Sequence, residues 1–293
     1  MHTASDSANG DGARATVPSM PYIDQLLEDL GAGDAQTESA LGRHVHWGLW
    51  EEPATADGSH DDYGAAAERM SRHLCDTAEI HDGMHVLDCG CGIGGTVASL
   101  NERFSAMRLT GLNIDARQLA VAGRRVTARE GNEVKFVVGD ACLLPFEDAT
   151  FDAVLAVEAI FHFRSRLRFL REAARVLRPG GVLVVSDFLL RPRGAPALLR
   201  IKLGSSLNYY GRQNQVPPTL LGYLAMLRLS GLTLRQYEDI TRKTLPSYGV
   251  LIDRYRRIGD SALVEAGSRL HEVSRRGLFP YTVLAAEKGR RRA

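Results

Sequence analysis

Along this chain, short apolar runs alternate with segments whose apolar residues recur at helical spacing, and the alternation persists from Ala66 to Ala286. Ala66, Ala67, Met70, Leu74 and Ala78 predict a helix ahead of Gly83, which leads into a strand from Val86 to Cys89. A second strand, Arg108 to Ile114, ends at Asp115, which can cap a helix carrying Leu119, Ala122 and Val126. Val134 to Val138 and Phe151 to Val157 read as the third and fourth strands. Arg166 to Leu177 then reads as a helix stopped by Pro179-Gly180-Gly181, with Val182 to Ser186 the fifth strand. After Phe188 the rhythm breaks. It resumes with a helix from Pro218 to Leu229, a strand from Leu232 to Asp239, a long helix from Tyr248 to Val273 and a last strand from Phe279 to Ala286. Strands alternating with helices in this way predict an α/β fold, a mainly parallel sheet with helices on both faces.

Length and composition narrow the function classes. The 293 residues suffice for one substantial core with an appended region, and a net charge of +1 leaves no electrostatic footprint for nucleic acid. No apolar stretch approaches the roughly 20 residues that span a membrane, and residues 1–19 contain no apolar signal core, so a cytoplasmic protein is expected. Residues 1–19 and 289–293 read as solvated tails. Cys75, Cys89, Cys91 and Cys142 fall in or beside elements read as core, which suits reduced thiols, and Cys89-x-Cys91 lacks zinc-knuckle spacing. Residues 189–218 hold four prolines, several arginines and Tyr209-Tyr210, a composition that suits an irregular cap over the sheet edge where open α/β folds bind ligands.

The run Val86-Leu87-Asp88-Cys89-Gly90-Cys91-Gly92-Ile93-Gly94-Gly95 is the most informative stretch. Gly90, Gly92 and Gly95 satisfy the spacing of a dinucleotide loop, but Asp88 at the strand end would repel a pyrophosphate. A carboxylate there instead attracts a ligand that presents an ammonium.

Together with Gly139-Asp140-Ala141, Leu144-Pro145-Phe146, Phe151-Asp152 and Ala174-Arg175-Val176-Leu177-Arg178-Pro179-Gly180-Gly181, this run resembles the class I S-adenosylmethionine-dependent methyltransferases. Within them the chain is similar to the small-molecule methyltransferases of secondary metabolism, the ubiquinone, tocopherol and sugar O-methyltransferase group. The resemblance runs from about Tyr22 to the last strand. It implies a Rossmann-like seven-stranded sheet with an antiparallel last strand. It also implies an N-terminal lid over residues 20–60, a cofactor-binding core over 61–188, a cap over 189–230 and the rest of the sheet over 231–288.

The same resemblance implies that S-adenosyl-L-methionine is held by Tyr22, Asp88, Gly90, Gly92, Asn113, Ile114, Gln118, Asp140, Ala141, Val157 and Glu158. Asp88 would take the methionine ammonium, Asp140 the adenine amino group and the Ala141 N–H a ring nitrogen. Asn113 stands where the family commonly carries an acid for the ribose hydroxyls, a departure, and Asp115 is either an alternative ribose acid or a helix cap. Val157 and Glu158 would lie beside the sulfonium and the methionine tail. Tyr22 and Trp47 are lid candidates.

Methyl transfer from a sulfonium depends on alignment and desolvation, so the loop predicts the cofactor and not the acceptor. A hydroxyl acceptor needs a base, and His162 follows the fourth strand where the family places an acceptor-facing histidine. Phe161 fills the first place of the histidine pair that similar sugar enzymes carry. Asp187, at the end of the fifth strand, is expected to converge with His162 as its orienting acid, and His46 is a secondary acid or base. Each also has a plain structural reading: a packed histidine, a loop cap, an aromatic staple. No carboxylate spacing suggests a metal clamp, so no metal is expected.

The expected partner is a small-molecule acceptor, with no nucleic acid or membrane and a homodimer as an allowed assembly. C-methylation of an isoprenoid diphosphate or aromatic carbon is the alternative; Glu158, Tyr209 and Tyr210 could shield its cationic intermediate, and Arg191, Arg193, Arg200, Lys202 and Arg212 could meet an anion. A cofactor-binding partner protein without turnover and an NAD-linked oxidoreductase complete the field.

Overall fold

A computed structural model describes residues 20–194, 196 and 216–290. Seven strands form one sheet: β1 (His85–Cys89), β2 (Arg108–Asn113), β3 (Glu133–Val138), β4 (Phe151–Ala156), β5 (Leu177–Phe188), β6 (Leu232–Asp239) and β7 (Tyr281–Lys288). Their order is β3-β2-β1-β4-β5-β7-β6. β1 to β5 run parallel, and β7 lies antiparallel between β5 and β6. The expected α/β class and antiparallel last strand are both present.

Strand alternation sorts the core into two layers. Val182, Val184, Val283 and Ala285 face the layer that contains Met70, Val97 and Leu119, from helices α3 (His60–Thr77), α4 (Gly95–Arg103) and α5 (Ala116–Arg125). Leu183, Val185, Leu284 and Ala286 face the other layer, with Phe169 and Leu170 of α6 (Arg166–Val176) and Tyr223 and Leu227 of the helix Leu220–Leu229. That last helix therefore belongs to the helical layer rather than to a cap. Two N-terminal helices, α1 (Pro21–Gly31) and α2 (Ala35–Leu41), precede an irregular segment at residues 42–52.

Beyond shifts of one or two residues at several element ends, two elements are organised differently from expectation. The Pro179-Gly180-Gly181 stop is absorbed into β5, where Gly180 takes φ +84° and the pairing with β4 shifts register between Phe151 and Ala153. The expected helix over Tyr248–Val273 is two helices, Ser247–Arg257 and Ser261–Arg275. Gly259 at φ +74° ends the first, and the Asp260 side chain caps the second by accepting from the Leu263 N–H. Tyr209, Tyr210, Arg200, Lys202, Arg212 and both tails, 1–19 and 291–293, lie outside the described residues.

Candidate active site

The chain reverses strand order between β1 and β4, and a crevice opens there at the carboxyl ends of the strands. It is a cavity of about 480 Å³. Tyr22, His46, Asp88, Gly90, Gly92, Asn113, Ile114, Gln118, Asp140, Ala141, Val157, Glu158 and His162 all line it.

The glycine turn between β1 and α4 forms one wall. Gly90 takes φ +78°, and a Cβ there would stand 2.5 Å from the Ala159 Cβ. Gly95 opens α4 so close to the segment at 43–44 that a Cβ would meet the Arg43 carbonyl oxygen at 2.1 Å.

Asp88 is 2% exposed, and both its carboxylate oxygens are buried without a protein partner among the described residues. Burial alone pushes its carboxyl up to about 7. A buried carboxylate left unpaired at a cavity wall is costly unless a donor arrives from outside.

On the nucleoside side, the Asn113 side-chain Oδ1 accepts the Asp115 N–H at 3.0 Å, so its side-chain NH₂ is the group left to face a ligand. Asp115 is the cap of α5: it accepts the Arg117 N–H at 2.9 Å and pairs with the Arg117 guanidinium at 2.7 Å. Asp140 accepts the Cys142 N–H at 2.8 Å through one oxygen and meets Arg164 through the other. Arg164, also in the cavity lining, is thus tied to Asp140, a contact that strand and turn reasoning did not find.

The reactive end shows the largest departures. His162 sits in a short turn after β4, and the Tyr22 hydroxyl lies 3.3 Å from its Nε2 with the two rings stacked. Burial, and then the nearby Arg166 charge, push His162 down to about 4, so the imidazole is neutral at ordinary pH. Asp187 does not join it. Arg166 grips both Asp187 oxygens in the core, the Phe188 N–H donates to one of them, and Asp187 is absent from the cavity wall.

His46 lines the cavity, but its ring is spoken for. Nδ1 lies 3.0 Å from the Trp47 carbonyl and Nε2 3.0 Å from the Ser71 hydroxyl, and burial pushes it down to about 3. It is a poor candidate for an acid or base. Trp47 packs edge-on against Phe188 and Tyr248, outside the cavity lining.

Glu158 also lines the cavity. Its backbone takes φ +51°, a conformation costly for a residue with a side chain, and its N–H donates to the Ser186 hydroxyl at 2.8 Å. Enclosure pushes its carboxyl up to about 8, against the Trp47 N–H that donates to it at 2.5 Å. Sequence reasoning missed Arg43, His44 and Thr96 in the cavity lining; for the first two the His44-Val45-His46-Trp47 string was the available signal.

The cavity suits S-adenosylmethionine: the orphaned Asp88 carboxylate would meet its ammonium, and the positive-φ glycines leave backbone uncovered beside it. Among the described residues no group of three His, Cys, Asp or Glu could hold a metal, and no helix is long and apolar enough to cross a membrane.

Residues 87–185 match the model of a methyltransferase domain. The chain is 32% identical to methyltransferase GfsG of Streptomyces halstedii, over 91% of this chain and 92% of that protein. It is likewise 32% identical to the 27-O-demethylrifamycin SV methyltransferase of Amycolatopsis mediterranei, over 84% and 90%. Solved structures of the same fold include the [4+2]-cyclase SpnF (TM-score 0.71, 20% identity, 94% of this chain and 100% of that one) and the geranyl diphosphate C-methyltransferase of Streptomyces coelicolor (0.67, 20%, 93% and 100%). Sequence likeness across nearly the whole chain, with the cavity carboxylate and glycine turn in place, puts the chain in the class I S-adenosylmethionine-dependent methyltransferases, among the small-molecule enzymes of secondary metabolism.

Proposed function

We propose that the protein methylates a hydroxyl of a secondary metabolite of the kind its relatives' names describe, with His162 receiving the acceptor's proton. The observation that carries this reading is the neutral, cavity-lining His162, backed by the Tyr22 hydroxyl. The cofactor supplies an electrophilic methyl on a sulfonium. The chain supplies the rest. Asp88 would hold the methionine end, Asn113, Ile114 and Gln118 would hold the ribose, and Asp140 and Ala141 would hold the adenine. Glu158, as a carboxylate, favours a positive charge at the reactive end. His162 is unprotonated at neutral pH and can take the hydroxyl proton. α1 and the segment around His46 screen the cavity from water.

Calorimetric titration with S-adenosylmethionine and S-adenosylhomocysteine, followed by mass analysis of an acceptor panel of polyketide alcohols, tests the reading. Binding with an added 14 Da on oxygen is expected; absence of binding by both cofactor forms overturns it.

A second reading, C-methylation, is favoured by Glu158. A buried carboxyl at the reactive end suits stabilisation of a carbocation and removal of its proton. In that case replacing His162 leaves turnover nearly intact.

A further inference from the structure

Residues 42–49 carry no regular element, yet the polar backbone of the loop from His46 to Leu49 is pinned almost group by group. The peptide joining His46 to Trp47 is held at both ends. The Tyr63 hydroxyl, on α3, donates to the His46 carbonyl at 3.2 Å, and the Trp47 N–H donates to Glu158 Oε2 at 2.5 Å. The next peptide is fixed as well: its carbonyl accepts from His46 Nδ1 at 3.0 Å, and its Gly48 N–H donates to the Ser247 hydroxyl at 3.1 Å. Because Nδ1 donates, Nε2 of the neutral ring accepts, and the Ser71 hydroxyl, also on α3, supplies that proton at 3.0 Å. Tyr63 is 5% exposed and takes no part in the cavity wall.

We propose that the His46–Trp47 loop, anchored on α3 by Tyr63 and Ser71, is a positioning device for Glu158, orienting and strengthening the backbone donor that this carboxylate receives. An amide whose oxygen accepts a hydrogen bond is a better donor at its nitrogen, because polarisation passes through the conjugated peptide. Tyr63 therefore acts on Glu158 without touching it. The left-handed backbone of Glu158 fits the same purpose, since it turns the side chain toward the Trp47 N–H at a conformational cost.

The inference rests on the reading of Glu158 as the carboxylate that favours the sulfonium form of the cofactor. The titratable groups facing Glu158 are Tyr63 from α3, Tyr248 from the helix Ser247–Arg257 and Tyr281 from β7. Burial raises all three phenols above their ordinary range, so none changes charge near neutral pH. Asp88 also titrates in this cavity, but it meets an ammonium that S-adenosylmethionine and S-adenosylhomocysteine share. The ratio of the two affinities therefore isolates the group that senses the sulfonium.

Calorimetry on the full chain with each cofactor form, from about pH 5.5 to 9.5, gives that ratio. In the native protein the preference for S-adenosylmethionine rises with pH and levels off as Glu158 ionises. Tyr63→Phe and Ser71→Ala move the levelling point up by roughly half a pH unit while S-adenosylhomocysteine affinity stays within about twofold. Glu158→Gln flattens the profile. A folded Tyr63→Phe or Ser71→Ala protein whose profile superimposes on the native one, beside a flat Glu158→Gln profile, overturns the positioning role alone. A Glu158→Gln protein that keeps the native profile overturns the reading of Glu158 and the inference with it.

Discussion

Arg166 and Asp187 form a two-point ion pair inside the core, Nε to Oδ2 at 2.7 Å and Nη2 to Oδ1 at 2.9 Å, with 3% and 0% of their side chains exposed. The pair fastens the start of α6 to the end of β5 behind the reactive end of the cavity. Removing one member leaves the other charge buried alone. Asp187→Ala therefore lowers unfolding free energy by about 3–5 kcal/mol in a urea titration. S-adenosylhomocysteine affinity of the folded fraction changes little; a large loss of affinity with unchanged stability would restore Asp187 to the site.

If Asp88 holds the ligand ammonium, Asp88→Asn removes a charge-assisted bond to it. The affinity for both cofactor forms falls by about tenfold to a hundredfold, equally for each, in calorimetric titration. Unequal losses would place Asp88 at the sulfonium instead.

Stability of the ligand-free protein should fall as pH rises from about 6.5 to 8. Asp88 is lifted to about 7 and Glu158 to about 8 from the ordinary values of 3.8 and 4.5. A carboxyl raised by folding contributes stability that is complete below its unfolded value and lost as pH climbs through its folded one. His46 and His162, held neutral by burial and lowered to about 3 and 4, act in the opposite sense below the ordinary histidine value, so the net decline in melting temperature falls between about pH 6.5 and 8, and Asp88→Asn with Glu158→Gln flattens it. A scan of thermal unfolding against pH reads it, and a curve that rises over that window contradicts the burial argument.

His162→Ala is expected to lower kcat for hydroxyl methylation by roughly 10²- to 10⁴-fold with little change in cofactor affinity. Tyr22→Phe, which removes the hydroxyl 3.3 Å from Nε2, has a smaller effect in the same direction. Single-turnover rates with a methylated product identified by mass separate the two.

Much of the cofactor end was legible because it is local. Asp88, Gly90 and Gly92 sit within five residues on one strand-to-turn unit, and their spacing alone carries the geometry. Asp187 misled because its partner is 21 residues away on another element, and nothing in Ser186-Asp187-Phe188 announces Arg166. His46 looked available for the same reason: Ser71, which holds Nε2, lies on α3. The break at Gly259-Asp260 was legible, since glycine before a capping aspartate is a stop followed by a start, but the apolar period on either side masked it.

β7 enters the sheet between two strands that precede it in the chain, and β6 has β7 as its strand partner. During synthesis β5 therefore waits with one edge bare, and β6 has no ladder to join until residues 281–288 arrive. The half of the sheet that closes behind the reactive end is built from contacts of long sequence separation, which form late and slowly. The cofactor loop and its neighbours β1 to β4 can assemble earlier, so the binding half of the fold precedes the half that seals it.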